Sequence, residues 1–256
     1  MSKKEEFRRL LHLDPEPWDI ELSEEDLLTK DPAEGMLFGA IPFVRILQDL
    51  EERGISAALR ERGYRRWKPE LTYRTPLDAQ FRLLGFHEDT PDPQLLMDIR
   101  TRRGQVTVDD QVFRAMVWEW ISLQDPMATF PPGVEPLPGQ AHPGLGQFRK
   151  LNALMLDYVL EVDVEALVAV PEYFHNAVLY SGHMRFYDPE REGRFQAMCR
   201  DFLPLGLGPA SRAVAQQDGL WAAAEMVRPM AAHVEAHFGP EYQRQVEAVR
   251  EAVSFR

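Results

Sequence analysis

At 256 residues the chain is long for one domain, yet within the range of a single α/β domain with additions. Its 29 Lys and Arg against 41 Asp and Glu give a net charge of −12, which argues against nucleic acid, whose phosphates need a basic surface, while 45% hydrophobic residues suffice for a sizeable core. The one cysteine, Cys199, excludes an internal disulfide and a cysteine zinc site, and no apolar run approaches the roughly 20 residues that cross a bilayer.

The chain opens on "MSKKEEFRRLLHL", which is charged throughout and lacks the apolar core of a signal peptide. A cytoplasmic protein without membrane contact is expected. Residues 1–35 read as an acidic arm broken by Pro15, Pro17 and Pro32, with Ser23 placed to cap a short turn. From Met36 the spacing predicts a helix with Phe43, Ile46, Leu47 and Leu50 on one face and Gly54 as its stop. A shorter helix, "ISAALRERG", ends at Gly63. Arg62, Arg65, Arg66 and Lys68 read as its solvated end.

The period then changes. "ELTYRT", "DAQFRLLGFH" and "QLLMDIRTRRG" are short and bounded by turn residues, which predicts strands in a meander. "VFRAMVWEWISLQD" is a fourth strand, although its first part also fits a helical period. A loop with six prolines and four glycines follows, "PMATFPPGVEPLPGQAHPGLG"; loops of that length are usually functional or disordered. Next come a helix with Phe148, Leu151, Met155 and Tyr158 on one face, a buried strand "EALVAV", a helix ended by Gly182, and a strand "HMRFYD". From Pro189 onward the chain reads as mostly helical, and Phe195, Met198 and Phe202 form a face that needs an apolar partner. The predicted organisation is an arm over 1–35, an α/β (α+β) domain over 36–188 and a helical extension over 189–256 packed on it.

Three stretches bear chemistry. Gly144, Leu145 and Gly146 lead straight into a helix whose first residues are read as Gln147 and Phe148. A helix N-terminus carries unpaired N–H donors and partial positive charge, and glycine lets backbone approach an anion closely. The same residues also suit a plain bend from loop to helix. In "NAVLYSGHMRF", Tyr180 can either give a proton or pack its helix on the sheet. In "WEWISLQD", Glu119 is expected on the face opposite Trp118 and Trp120, where apolar surroundings raise a carboxylate pKa. A surface-facing Glu fits the same pattern. His175 stands five residues before Tyr180, about 140° away around a helix. His142, His175, His183 and Asp188 lack the spacing of a metal site, so no metal is expected.

The order of elements over about residues 36–188 resembles the GNAT-type N-acetyltransferases, and these three stretches carry the resemblance. It implies a mixed, mostly antiparallel sheet flanked by helices. It further implies an acyl-CoA-dependent N-acyltransferase that moves an acetyl or other acyl group from acetyl-CoA or another acyl-CoA to a small-molecule or peptide amine, without a metal. Gln140, Gly144, Leu145, Gly146, Gln147 and Asn176 are then expected to hold coenzyme A, Glu119 to act as base and Tyr180 as acid. Gln140 lies four residues before Gly144, one more than that family's spacing, and Pro143 removes one N–H donor. The alternative is such a fold without transferase activity, serving as a binding or assembly module. A homodimer is compatible with either.

Overall fold

The computed structural model describes residues 35–255 except 76 and 109. The acidic arm and its Ser23 cap lie outside the described residues. Those described form a mixed α/β structure, eight helices flanking a seven-stranded, mostly antiparallel sheet.

The first segment corrects the helical expectation for residues 36–42, which form a small hairpin of β1 (Met36–Leu37) and β2 (Ile41–Pro42). Phe38 and Gly39 take left-handed φ of 62° and 68° at its turn, a conformation a helix excludes. Pro42 then caps α1 (Phe43–Glu52), which buries Ile46, Leu47 and Leu50. α2 (Ile55–Glu61) follows.

Next comes an antiparallel meander of β3 (Tyr64–Thr75), β4 (Asp78–His87), β5 (Gln94–Val108) and β6 (Gln111–Leu123). β3 starts well before "ELTYRT", so Arg65, Arg66 and Lys68 lie on a strand and not on a helix end. Its Pro69 is tolerated because β3 is an edge strand, where a missing N–H leaves no ladder partner short. β6 settles the period ambiguity. Phe113, Ala115 and Val117 pack into one apolar cluster, Met116 and Trp118 into the other.

The long loop and α3 (Phe148–Leu160) carry the chain over to β7 (Ala166–Ala169), which runs parallel to β6 from Ala115↔Ala166 to Trp118↔Ala169. There follow α4 (Phe174–Tyr180), β8 (Arg185–Phe186), α5 (Pro189–Phe202), α6 (Leu207–Ala215), β9 (Met226–Pro229), α7 (Ala232–His237) and α8 (Pro240–Ala252). The strand order is β3-β4-β5-β6-β7-β9-β8. β9 adds a strand to a segment expected to be mostly helical: "MVRP", between the predicted helices, sits inside the sheet, antiparallel to both β7 and β8. Four residues are too few to show a strand period against helix-forming neighbours.

The larger core joins one sheet face to residues of α1 to α6, among them Ile46, Leu59, Leu154, Phe174, Phe195 and Val214. On the other face Val234, Phe238, Tyr242 and Val246 cover Ala115, Val117, Ala166, Val168 and Val227. Beyond that cover the meander bears a polar ladder, in which Gln80 donates to Asp98 (2.7 Å), Arg100 pairs with Asp98 (3.1 Å) and Lys68 with Glu70 (3.2 Å). Among the described residues no helix is long and apolar enough to cross a membrane.

Candidate functional site

The parallel pairing of β6 and β7 lasts four residues. β7 ends at Ala169, β6 runs on to Leu123, and a cleft of about 300 Å³ opens where they part. In open α/β sheets such a crevice, beyond the carboxyl ends of strands, is where ligands bind.

A β-bulge sits at its edge. Arg100 pairs with Trp120 and Thr101 with Trp118, which leaves Glu119 as an extra residue. The bulge overturns the expected alternation. Trp118 is buried on the helix-covered face, while Trp120, 45% exposed, shares the polar face with Arg100. Glu119 joins that polar face. Arg74 Nη2 donates to one of its oxygens (3.0 Å) and Arg102 Nε to the other (3.2 Å). The apolar surroundings expected for Glu119 are absent; its side chain is 30% exposed and paired with two guanidinium groups.

The opposite wall is α4. His175, Asn176, Leu179 and Tyr180 line the cleft, while Phe174 and Ala177 are buried in the core, as helical spacing requires. The Tyr180 ring meets Trp118 edge-on (6.0 Å between centroids) and tilts against Phe148 (6.2 Å). Burial pushes its phenol up to about 12, so it keeps its proton at neutral pH. His175 lies five residues from Tyr180 yet shares the cleft, which wraps around the helix end. Its Nδ1 is 2.9 Å from Ser211 Oγ on α6, and Tyr173 stacks on its ring.

The glycine loop forms one end of the cleft. Gly144 and Gly146 are exposed, and Leu145 between them is a core anchor with no exposed surface. α3 begins at Phe148 with Gln147 as its N-cap, one residue later than expected, with no side-chain cap and no acid in its first turn. Among the described residues nothing accepts from the N–H groups of Gly144, Leu145, Gly146 and Gln147. Gln140 lines the cleft, but its Oε1 accepts from Leu137 N (3.1 Å), closing its own loop. Gln147 is not brought to the cleft; its Nε2 turns back to Leu145 O (3.4 Å). Glu119, Gln140, Gly144, Leu145, Gly146, Asn176 and Tyr180 thus meet at one cleft.

Arg62 is the cation at this loop. Its Nη2 would lie 3.6 Å from a Cβ placed on Gly146. It follows α2 directly, and nothing in the sequence pairs it with a glycine more than eighty residues away. Asp125 holds both partners in place. Its backbone N–H donates to Pro143 O (2.7 Å), its Oδ1 accepts from Tyr64 Oη (2.7 Å) and Met127 N (3.2 Å), and its Oδ2 is 3.5 Å from Arg62 Nε. Burial first, and then Asp125, raise the Tyr64 phenol above its usual range. Asp125→Ala leaves a wholly buried hydroxyl without its acceptor and takes the carboxylate from Arg62, which keeps its bond to Ala58 O (3.0 Å). A loss of about 3 kcal/mol is expected, read from the urea midpoint; a loss under about 1 kcal/mol, the worth of one ordinary hydrogen bond, contradicts the anchoring role.

His175 makes a pH prediction. Burial pulls its imidazole from 6.5 down to about 4. Between those values the unfolded chain binds a proton that the folded chain refuses, so stability falls as pH drops through that window and is full above it. The loss reaches at most about 3 kcal/mol. Urea unfolding at pH 7 and pH 4.5 should show a steeper loss for wild type than for His175→Gln. Parallel losses would contradict a neutral buried imidazole.

Comparison of the chain with known protein families, with curated proteins and with solved structures finds no match.

Proposed function

We propose that the protein is an acyl-CoA-dependent N-acyltransferase that moves an acetyl or other acyl group onto a small-molecule or peptide amine. One observation carries the reading: the cleft between the parting strands β6 and β7 ends at a glycine loop that Arg62 flanks and whose N–H groups have no partner among the described residues. A Cβ at Gly146 would project toward that guanidinium, into the space an anion needs. The residues therefore fit a pyrophosphate.

Acyl-CoA, when bound, supplies an activated thioester. The N–H groups of Gly144 to Gly146 and Arg62 hold its phosphates near the start of α3. Trp118, Phe148 and Tyr180 wall the pantetheine arm and exclude water. The amine enters from the polar face, where Glu119 accepts its proton directly or through water and Arg74 with Arg102 fix that carboxylate. As the carbon–nitrogen bond forms and the carbon–sulfur bond breaks, Tyr180 gives its proton to the sulfur. Glu119 and Tyr180 exchange protons with solvent afterwards.

A binding module without catalysis is the second reading, and the clamping of Glu119 by two arginines favours it. Thermal unfolding with and without coenzyme A tests the shared premise. At ~100 times its dissociation constant the ligand should add about 2.7 kcal/mol. Thiol release from acetyl-CoA in the presence of an amine mixture then separates enzyme from module. An unchanged melting temperature at millimolar coenzyme A counts against both.

A further inference from the structure

His175 is 7% exposed, and among the described residues one of its nitrogens is engaged. Nδ1 meets Ser211 Oγ at 2.9 Å, and Nε2 has no protein partner among the described residues, although the residue lines the cleft. Nε2 is also not among the sealed side-chain atoms that lack a partner. It therefore keeps exposed surface, and His175 lines the cleft.

The tautomer follows from hydrogen-bond accounting. Ser211 is 1% exposed on α6, and its hydroxyl has no described acceptor other than Nδ1. A buried hydroxyl that received a proton from Nδ1–H would have nowhere to donate its own, at a cost of about 1–3 kcal/mol. Ser211 thus donates to Nδ1, and the ring proton sits on Nε2. Tyr173, stacked on the imidazole with an interplanar angle of 8°, keeps the ring from turning.

We infer that His175 presents Nε2–H into the cleft as a hydrogen-bond donor to a carbonyl oxygen of the bound ligand, with Ser211 as the positioning residue that sets its tautomer. The choice of ligand rests on the acyl-CoA reading; the donor itself does not. The acceptor is an amide carbonyl of the pantetheine arm or the thioester carbonyl. Neutral imidazole suits this role because it stays a donor without bringing charge into an aromatic-walled cleft. The depressed pKa agrees, since it keeps the ring neutral well below pH 6.

Nitrogen-detected NMR on the ligand-free, histidine-labelled protein should show His175 as the Nε2–H tautomer, with Ser211→Ala producing a mixture. An Nδ1–H tautomer in wild type overturns the inference whatever the cleft binds. With coenzyme A and then acetyl-CoA as probes, the Nε2–H proton should move downfield. A shift already present with coenzyme A identifies an amide acceptor; one that needs acetyl-CoA identifies the thioester. The double variant His175→Phe/Ser211→Ala should bind the responding probe about tenfold more weakly, the worth of one hydrogen bond. His175→Gln, whose amide reaches where Nε2 stood, should recover most of it. Equal affinity of wild type and a folded double variant overturns the donor role. If wild type binds neither probe, the acyl-CoA reading falls and the tautomer measurement alone decides whether the donor exists.

Discussion

Gly146→Glu should abolish coenzyme A binding while the protein stays folded. Gly146 takes φ +67°, where a side chain costs about 1–2 kcal/mol. The residue is exposed and a Cβ meets nothing closer than Arg62 Nη2 at 3.6 Å, so strain is the whole penalty to the fold. For the ligand the change is far worse. The new carboxylate lies beside Arg62, occupies the pyrophosphate position and sets like charge against it. Affinity should fall by about 100-fold or more, equal to some 2.8 kcal/mol. Gly144→Ala is the control: its Cβ would see Leu123 O at 3.6 Å, an ordinary contact, at a φ open to any residue. It should leave stability nearly unchanged. A Gly146→Glu protein that binds as wild type does would remove the loop from the site.

A chain cut after Asp188 should not fold. The cut removes β9, which pairs with β7 on one side and β8 on the other. It strips Val234, Phe238, Tyr242 and Val246 from Ala115, Val117, Ala166 and Val168, all nearly inaccessible in the whole chain. It also takes Phe195, Met198 and Phe202 from the larger core. The removed helices are themselves tightly joined. A Cβ on Gly193 of α5 would lie 2.7 Å from Val246 O of α8, so their backbones approach as only glycine allows. The fragment should lack cooperative unfolding and bind hydrophobic dyes. A protease-resistant, cooperatively unfolding core ending near residue 188 would show that the segment after it is dispensable.

Local pattern made the meander, α3, α4 and the apolar face of α5 legible, because each carries a clear period over seven or more residues. β1, β2 and β9 were not, since two to four residues show no period and their pairing is non-local. Phe38 and Gly39 gave the first hairpin its turn, yet the apolar spacing around them read as helix. At the site, the resemblance to a known family pointed to the glycine loop, Glu119, Asn176 and Tyr180, which do meet at one cleft. The bulge at Glu119 was hidden, since it depends on the register of β5 against β6. Arg62, Asp125 and Ser211 reach their partners Asp125, Tyr64 and His175 across sixty-three, sixty-one and thirty-six positions, and no local pattern records such distances. Their chemistry is ordinary in sequence and specific only once folded.

The proposed function requires the cleft between β6 and β7 to take acyl-CoA with its phosphates at Gly144 to Gly146. Titration calorimetry of the intact protein with coenzyme A tests it most directly. Saturable binding of one molecule per chain is expected, lost in Gly146→Glu. Absence of any binding isotherm with the wild-type protein would contradict it.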